Sequence, residues 1–323
     1  MKVRKALSIV LVLALLVTTM MACDKNPNDS DKKSIVVTIF PQYDWVMQIL
    51  GDKADNFDIT WLIGSNADMH SYSPSMSDIA KIATADLFIY VGGHSDEWVD
   101  DALAQATNPD MVVINMVEEL GDNIIMVEHD CDDDECTDDH DDDELTQEEH
   151  VWVSLRMAQE LCKVIVSAIA DLDPDNTATY NANATNYNLK LTALDAQYKA
   201  MANDAPNKTL VFADRFPFLY MCKDYGLNHY AAFSGCSAES EASFSVIVQL
   251  SRRINENELK YVMITETGKH DLAQTIIDQT KAKNQKILVL NGLKTVTTSD
   301  VENGVTYLSV MQSNLEVLRE ALS

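Results

Sequence analysis

Residues 173–204 read DPDNTATYNANATNYNLKLTALDAQYKAMAND, with no glycine and no proline after Pro174. Tyr180, Ala184, Tyr187, Leu191, Leu194, Tyr198 and Met201 recur alternately four and three positions apart. That spacing lays an apolar stripe along one face of a single helix. From Pro174 to about Ala202 the helix would be a rod roughly 40 Å long at 1.5 Å per residue. It is either a surface helix packed on one domain or a rod joining two lobes, and the second arrangement would hold the lobes at a nearly fixed angle.

On both sides of this stretch short β-rich runs alternate with helical patterns. Before it come IVVTIF after Ser34, DITWLI before Gly64, LFIYV before Gly92, and MVVIN. PQYDWVMQIL, with Pro41 at a tolerated first helical position, and MSDIAKIATA read as helices between them. After it come TLVFA, YAAF, YVMIT and KILVL, separated by helical patterns near Tyr220, Val246, Ile276 and Leu315. Strand and helix in strict alternation imply an α/β fold with largely parallel sheets. The expectation is two similar α/β lobes, at 35–170 and 206–323, each with its own core, joined by a linking helix at 171–205.

The amino-terminal end reads as an export signal. Lys2, Arg4 and Lys5 precede an uncharged apolar run from Ala6 to Val17, which is too short for a permanent membrane span. The MMAC ending at Cys23 resembles a bacterial lipobox. This makes 1–22 a signal peptide, Cys23 a lipidation site, and the polar 23–34 a tether to the membrane. The formal net charge of −27 excludes a nucleic-acid binder, because phosphate neutralisation needs clustered Lys and Arg. Of six cysteines, Cys23 belongs to the lipid signal. Cys131, Cys136, Cys162, Cys222 and Cys236 then allow at most two internal disulfides. Much of the charge lies in 128–149, EHDCDDDECTDDHDDDELTQEE, a low-complexity run that cannot offset its ordering entropy and is expected to be a mobile loop. It is either a solvated insertion or a weak collector of divalent ions through its carboxylates, His129 and His140.

Two motifs carry a resemblance. LIGSNADMHSYSPSMSDIAKIATADLFIYVGGHSDEWVD, at 62–100, and EEHVWVSLRMA, at 148–158, flank the acidic run in order. They are similar to two motifs of the zinc- and manganese-specific ABC solute-binding lipoproteins, and the likeness extends over nearly the whole exported chain. The resemblance implies an extracytoplasmic, lipid-anchored monomer. Such a protein captures a divalent ion, zinc with manganese as alternative, in the cleft between the lobes and hands it to an ABC permease. His70 and His150 fall on the family's ligand positions, and neutral imidazole suits borderline ions. His94 matches no ligand position, and His229 lies within a predicted strand and reads as structural.

The second half departs from the pattern. Where the family carries a ligand at a strand end, this chain has Ala213, which has no donor. The remaining donors are expected from His270, Glu266 or Asp214, the last discounted for its neighbour Arg215, with Glu239 and Glu241 as a further pair. A nitrogen-rich set with His270 would favour zinc over manganese. Within the binding class, an iron binder or surface adhesin of the same fold stays open. A secreted metalloenzyme is the reading from another class, but the chain has no HExxH and no nucleophile elbow.

Overall fold

In both halves of the chain the apolar strand runs alternate between two buried faces. Ile35 and Val37 join one cluster while Val36 joins another, and Leu210 and Phe212 are likewise separated from Val211 and Ala213. This period of two, with both faces covered, is the signature of parallel sheets sandwiched by helices. The computed structural model describes residues 32–64, 69–128, 145–235 and 242–323. The signal peptide, Cys23, most of the tether, the centre of the acidic run, Cys236, Glu239 and Glu241 lie outside the described residues.

The first sheet consists of β1 (Lys33–Val37), β2 (Phe57–Trp61), β3 (Leu87–Tyr90) and β4 (Val112–Asn115), in the order β2-β1-β3-β4. A short antiparallel pair follows, β5 (Met126–Glu128) with β6 (Leu145–Gln147). The second sheet consists of β7 (Thr209–Phe216), β8 (Asn228–Ser234), β9 (Tyr261–Thr265) and β10 (Lys286–Leu290), in the order β8-β7-β9-β10. Every pairing within the two four-stranded sheets is parallel. Both therefore have the order second, first, third, fourth, so the two α/β lobes expected from the sequence are topological copies. In such sheets, loops at the carboxyl ends of the strands form the binding crevice.

The long helix spans Thr177–Asp204, 28 residues, and all seven positions of its apolar stripe are buried. It is bonded to both halves. Asn183 Nδ2 donates to Ile49 O (3.0 Å) and the Tyr187 hydroxyl to Asp44 (3.1 Å), while the Tyr198 hydroxyl donates to Met311 O (2.6 Å). The main core follows this helix and takes side chains from both sheets, while smaller clusters cover the outer face of each sheet. The expectation of a separate core for each lobe is thus corrected. One continuous core runs through both, and residues 33–323 form one compact unit. The acidic run also differs from expectation at its ends, because β5 and β6 pair across it and Glu148 and Glu149 are buried.

Candidate metal centre

His70 sits in a turn of 3-10 helix, Met69–Ser71, in the crossover after β2. The next residues of its motif fix that turn. Ser75 caps the helix Met76–Ala83, its hydroxyl accepting from Asp78 N (3.2 Å), and Asp78 accepts from Ser75 N (2.9 Å) and from the Tyr72 hydroxyl (3.0 Å). This reciprocal cap stabilises the helix start by about 1 kcal/mol and locks the loop that carries the histidine. His150 is placed by a second cap, where Ser154 begins the helix Leu155–Leu172 and its hydroxyl accepts from Met157 N (3.2 Å). Its ring is fully buried.

The two imidazoles face each other, with Nε2 to Nε2 at 3.3 Å and ring planes tilted by 58°. Behind each ring stands a carboxylate. His70 Nδ1 lies 3.0 Å from Glu149 Oε1 and 2.6 Å from Ser95 Oγ, and His150 Nδ1 is hydrogen-bonded to Glu148 Oε1. A carboxylate on Nδ1 fixes the proton there and turns the Nε2 lone pair outward. Ser95 orients Glu149 in turn, donating from its hydroxyl to Oε1 and from its amide to Oε2 (3.0 Å). Among the described residues, His70, Glu149 and His150 form the group able to hold a metal ion, with ligand atoms all within 4.8 Å of one another.

Two glycines make room for this packing. Gly93 has φ +83°, and a Cβ there would lie 2.9 Å from Glu149 Oε2. At Gly235, after β8, a Cβ would lie 3.0 Å from His150 Cε1, so the second lobe closes directly on the histidine. The two neighbouring glutamates titrate in opposite directions. Burial and the charge of Glu149 push Glu148 up to about 7, against the pull of the His150 amide, Lys294 and His70. Burial also works against ionising Glu149, but the hydrogen bond from His70, the two imidazoles and Ser95 bring it down to about 2.

The second-lobe candidates are not part of this cluster. Glu266 accepts Gly292 N (2.6 Å) and Lys294 N (2.9 Å). Asp214 accepts Thr265 N (2.9 Å) and the Thr265 hydroxyl. His270 is exposed as the first residue of the helix Lys269 introduces, His270–Asp278. Ala213 is buried in the outer core. His229 stacks on Phe216 at 4.1 Å, and His94 pairs with Glu97 at 2.6 Å. What the second lobe does bring to the site is Lys294, whose Nζ lies 3.0 Å from His70 Nε2. Sequence reasoning missed Glu148, Glu149, Ser95 and Lys294. The only available signal was that Glu148 and Glu149 lie inside the second motif as well as at the end of the acidic run.

Two carboxylate-backed imidazoles in paired α/β lobes form a candidate site for a divalent metal ion. The chain belongs to the family described as zinc-uptake complex component A periplasmic, whose model matches residues 35–321. It is 30% identical over 312 residues to the zinc-binding lipoprotein AdcA of Streptococcus pneumoniae, covering 96% of this chain and 60% of that relative. It is also 30% identical over 292 residues to the high-affinity zinc uptake system protein ZnuA of Bacillus subtilis, covering 90% of this chain and 88% of that protein. Among solved structures it resembles the Zn(II)-bound ZnuA-like domain of S. pneumoniae AdcA, with TM-score 0.69, 29% identity, and 90% of this chain and 99% of that chain covered. It likewise resembles the metal-dependent lipoprotein YcdH of B. subtilis, with TM-score 0.73, 28% identity, and 90% and 99% covered. The chain thus spans about 60% of the length of AdcA and nearly all of its ZnuA-like domain.

Proposed function

We propose that this protein captures zinc outside the cytoplasm and delivers it to an ABC importer, with His70 and His150 as ligands. The observation that carries this reading is the 3.3 Å separation of the two Nε2 atoms. Two nitrogens bound to zinc at about 2.0–2.1 Å and at a tetrahedral angle lie about 3.3–3.4 Å apart. The pair therefore stands at the edge length of a zinc tetrahedron. The relatives named for zinc binding and zinc uptake support zinc over manganese as cargo. Nitrogen donors point the same way, because affinity at such sites climbs along the Irving-Williams series.

Glu149 is the nearest further oxygen donor, and its bond to His70 suits it equally to holding that ring in place. The second lobe completes the enclosure. His270, Glu266 and Asp214 are its candidate donors, ranked below the histidine pair because they stand outside the cluster. Anchoring through a lipid on Cys23 fits a receptor that must stay beside its permease. Among the described residues no helix is long and apolar enough to cross a membrane. The protein acts as a monomeric carrier rather than an enzyme, in keeping with a transport-component family. The acidic residues 129–144 serve as a low-affinity collector, since a carboxylate-rich segment concentrates cations by charge.

Calorimetry of the exported chain with zinc, manganese and iron tests the reading. One tight zinc ion per protein is expected, with manganese and iron bound more weakly. A neutral linker in place of 129–144 is expected to keep that ion and lose weaker ones. Tight manganese binding with weak zinc binding would replace zinc by manganese as the cargo.

A further inference from the structure

The second lobe brings a cation, Lys294, up to the histidine pair, and it does so through a constrained loop. Leu293 has φ +65°, a left-handed conformation that a branched side chain rarely adopts. Four hydrogen bonds hold it there. Glu266 accepts the amides of Gly292 (2.6 Å) and Lys294 (2.9 Å), Asn291 Oδ1 accepts Leu293 N (2.7 Å), and Trp152 Nε1 donates to Gly292 O (2.9 Å). Trp152 lies two residues past His150, so the loop is tied to the same segment that carries a ligand. Lys294 lines a small pocket together with Trp61, Met69 and Leu293, and its ammonium lies 3.0 Å from His70 Nε2.

An ammonium has three donors and no acceptor. At 3.0 Å it therefore uses the lone pair of His70 Nε2, the same lone pair that zinc requires. The ammonium and the ion cannot both hold it. We propose that Lys294 is a tethered competitor of the cargo: it occupies the His70 Nε2 lone pair, must swing away for zinc to bind, and returns to help expel it. The proposal rests on the reading of His70 and His150 as zinc ligands. Because the penalty is common to every ion, it lowers all affinities by one factor and leaves their ranking unchanged. What changes is release, since the returning ammonium competes for a ligand and repels a divalent cation at close range. A carrier that must surrender its ion to a permease has a use for such a group.

The test compares zinc affinity, by competition with a chromogenic chelator, for the full exported chain and its variants Lys294→Met, Lys294→Gln and Lys294→Arg. Met keeps the apolar stem and removes the charge, and Gln covers the case in which Met fails to fold. The neutral variants are expected to bind zinc at least about tenfold more tightly than the parent and to release it more slowly to excess chelator, a tenfold change being about 1.4 kcal/mol. Lys294→Arg is expected to stay near the parent value. A lysine that merely supports the loop, or that ligates the metal, would give weaker binding in the neutral variants. Affinity equal to or below that of the parent in both overturns the proposal while leaving the function intact. If the parent itself holds no tight zinc, the functional reading falls and this inference falls with it.

Discussion

The two lobes share one strand order yet contribute to the site in opposite ways. The first supplies two imidazoles, each with a carboxylate fixing its proton on the far nitrogen. In the second, the carboxylates Glu266 and Asp214 accept backbone amides and a threonine, and a lysine approaches the histidines. On the proposed reading the first half of the site holds the ion, while the second half shapes a loop. Pre-organised ligands lose little freedom on binding, so affinity should reside chiefly in the first lobe. Mutations can break or sharpen that contrast.

The largest effect is expected from the two proposed ligands. His70→Ala or His150→Ala should weaken zinc binding by about a hundredfold or more, about 2.8 kcal/mol, by chelator competition. A loss confined to second-lobe variants would reverse the contrast. Next come the supporting carboxylates. Glu148→Gln and Glu149→Gln should each weaken zinc binding by about 10–100-fold, the usual range for outer partners of metal-bound histidines. At the second lobe the change should be small. His270→Ala is expected to alter zinc affinity by less than about threefold, below 0.7 kcal/mol. A larger loss would restore the family-like expectation that this histidine joins the site.

The smallest effect on zinc binding lies far from the metal centre, under the long helix. Asp44 is buried beside Tyr187, and burial raises its carboxyl to about 6 against the hydrogen bonds it accepts from Gln48, Tyr187 and the Tyr307 backbone. The folded protein therefore binds this proton more tightly than the unfolded chain, so between about pH 4 and 6 this residue makes stability fall as pH rises. Its contribution is about 3 kcal/mol at most. Asp44→Asn should flatten that part of the profile in denaturant titrations, and an unchanged slope would place the pH dependence elsewhere.

The sequence makes some of these elements legible and hides others. The long helix is readable because seven apolar residues keep one spacing and all face the core. Parallel strands are readable because both of their faces are buried, which leaves continuous apolar runs. His70 and His150 are readable because each lies in a motif whose caps and turns are local. Glu148 and Glu149 are hidden at the end of a run of identical chemistry, where only burial distinguishes them from solvated neighbours. Lys294 is hidden for another reason. It reaches His70 across 224 positions of sequence, and a lysine is not a residue type sought in a metal site. The separate lobe cores also could not be read correctly, because strand patterns do not reveal that the long helix fuses them.

The most direct test of the account is anomalous diffraction at the zinc edge from crystals of the exported chain grown with one equivalent of zinc. The account predicts one strong peak at about 2.0–2.1 Å from both His70 Nε2 and His150 Nε2, with Lys294 turned away from His70. A peak that touches neither histidine, or one held by carboxylate oxygens alone, would contradict it.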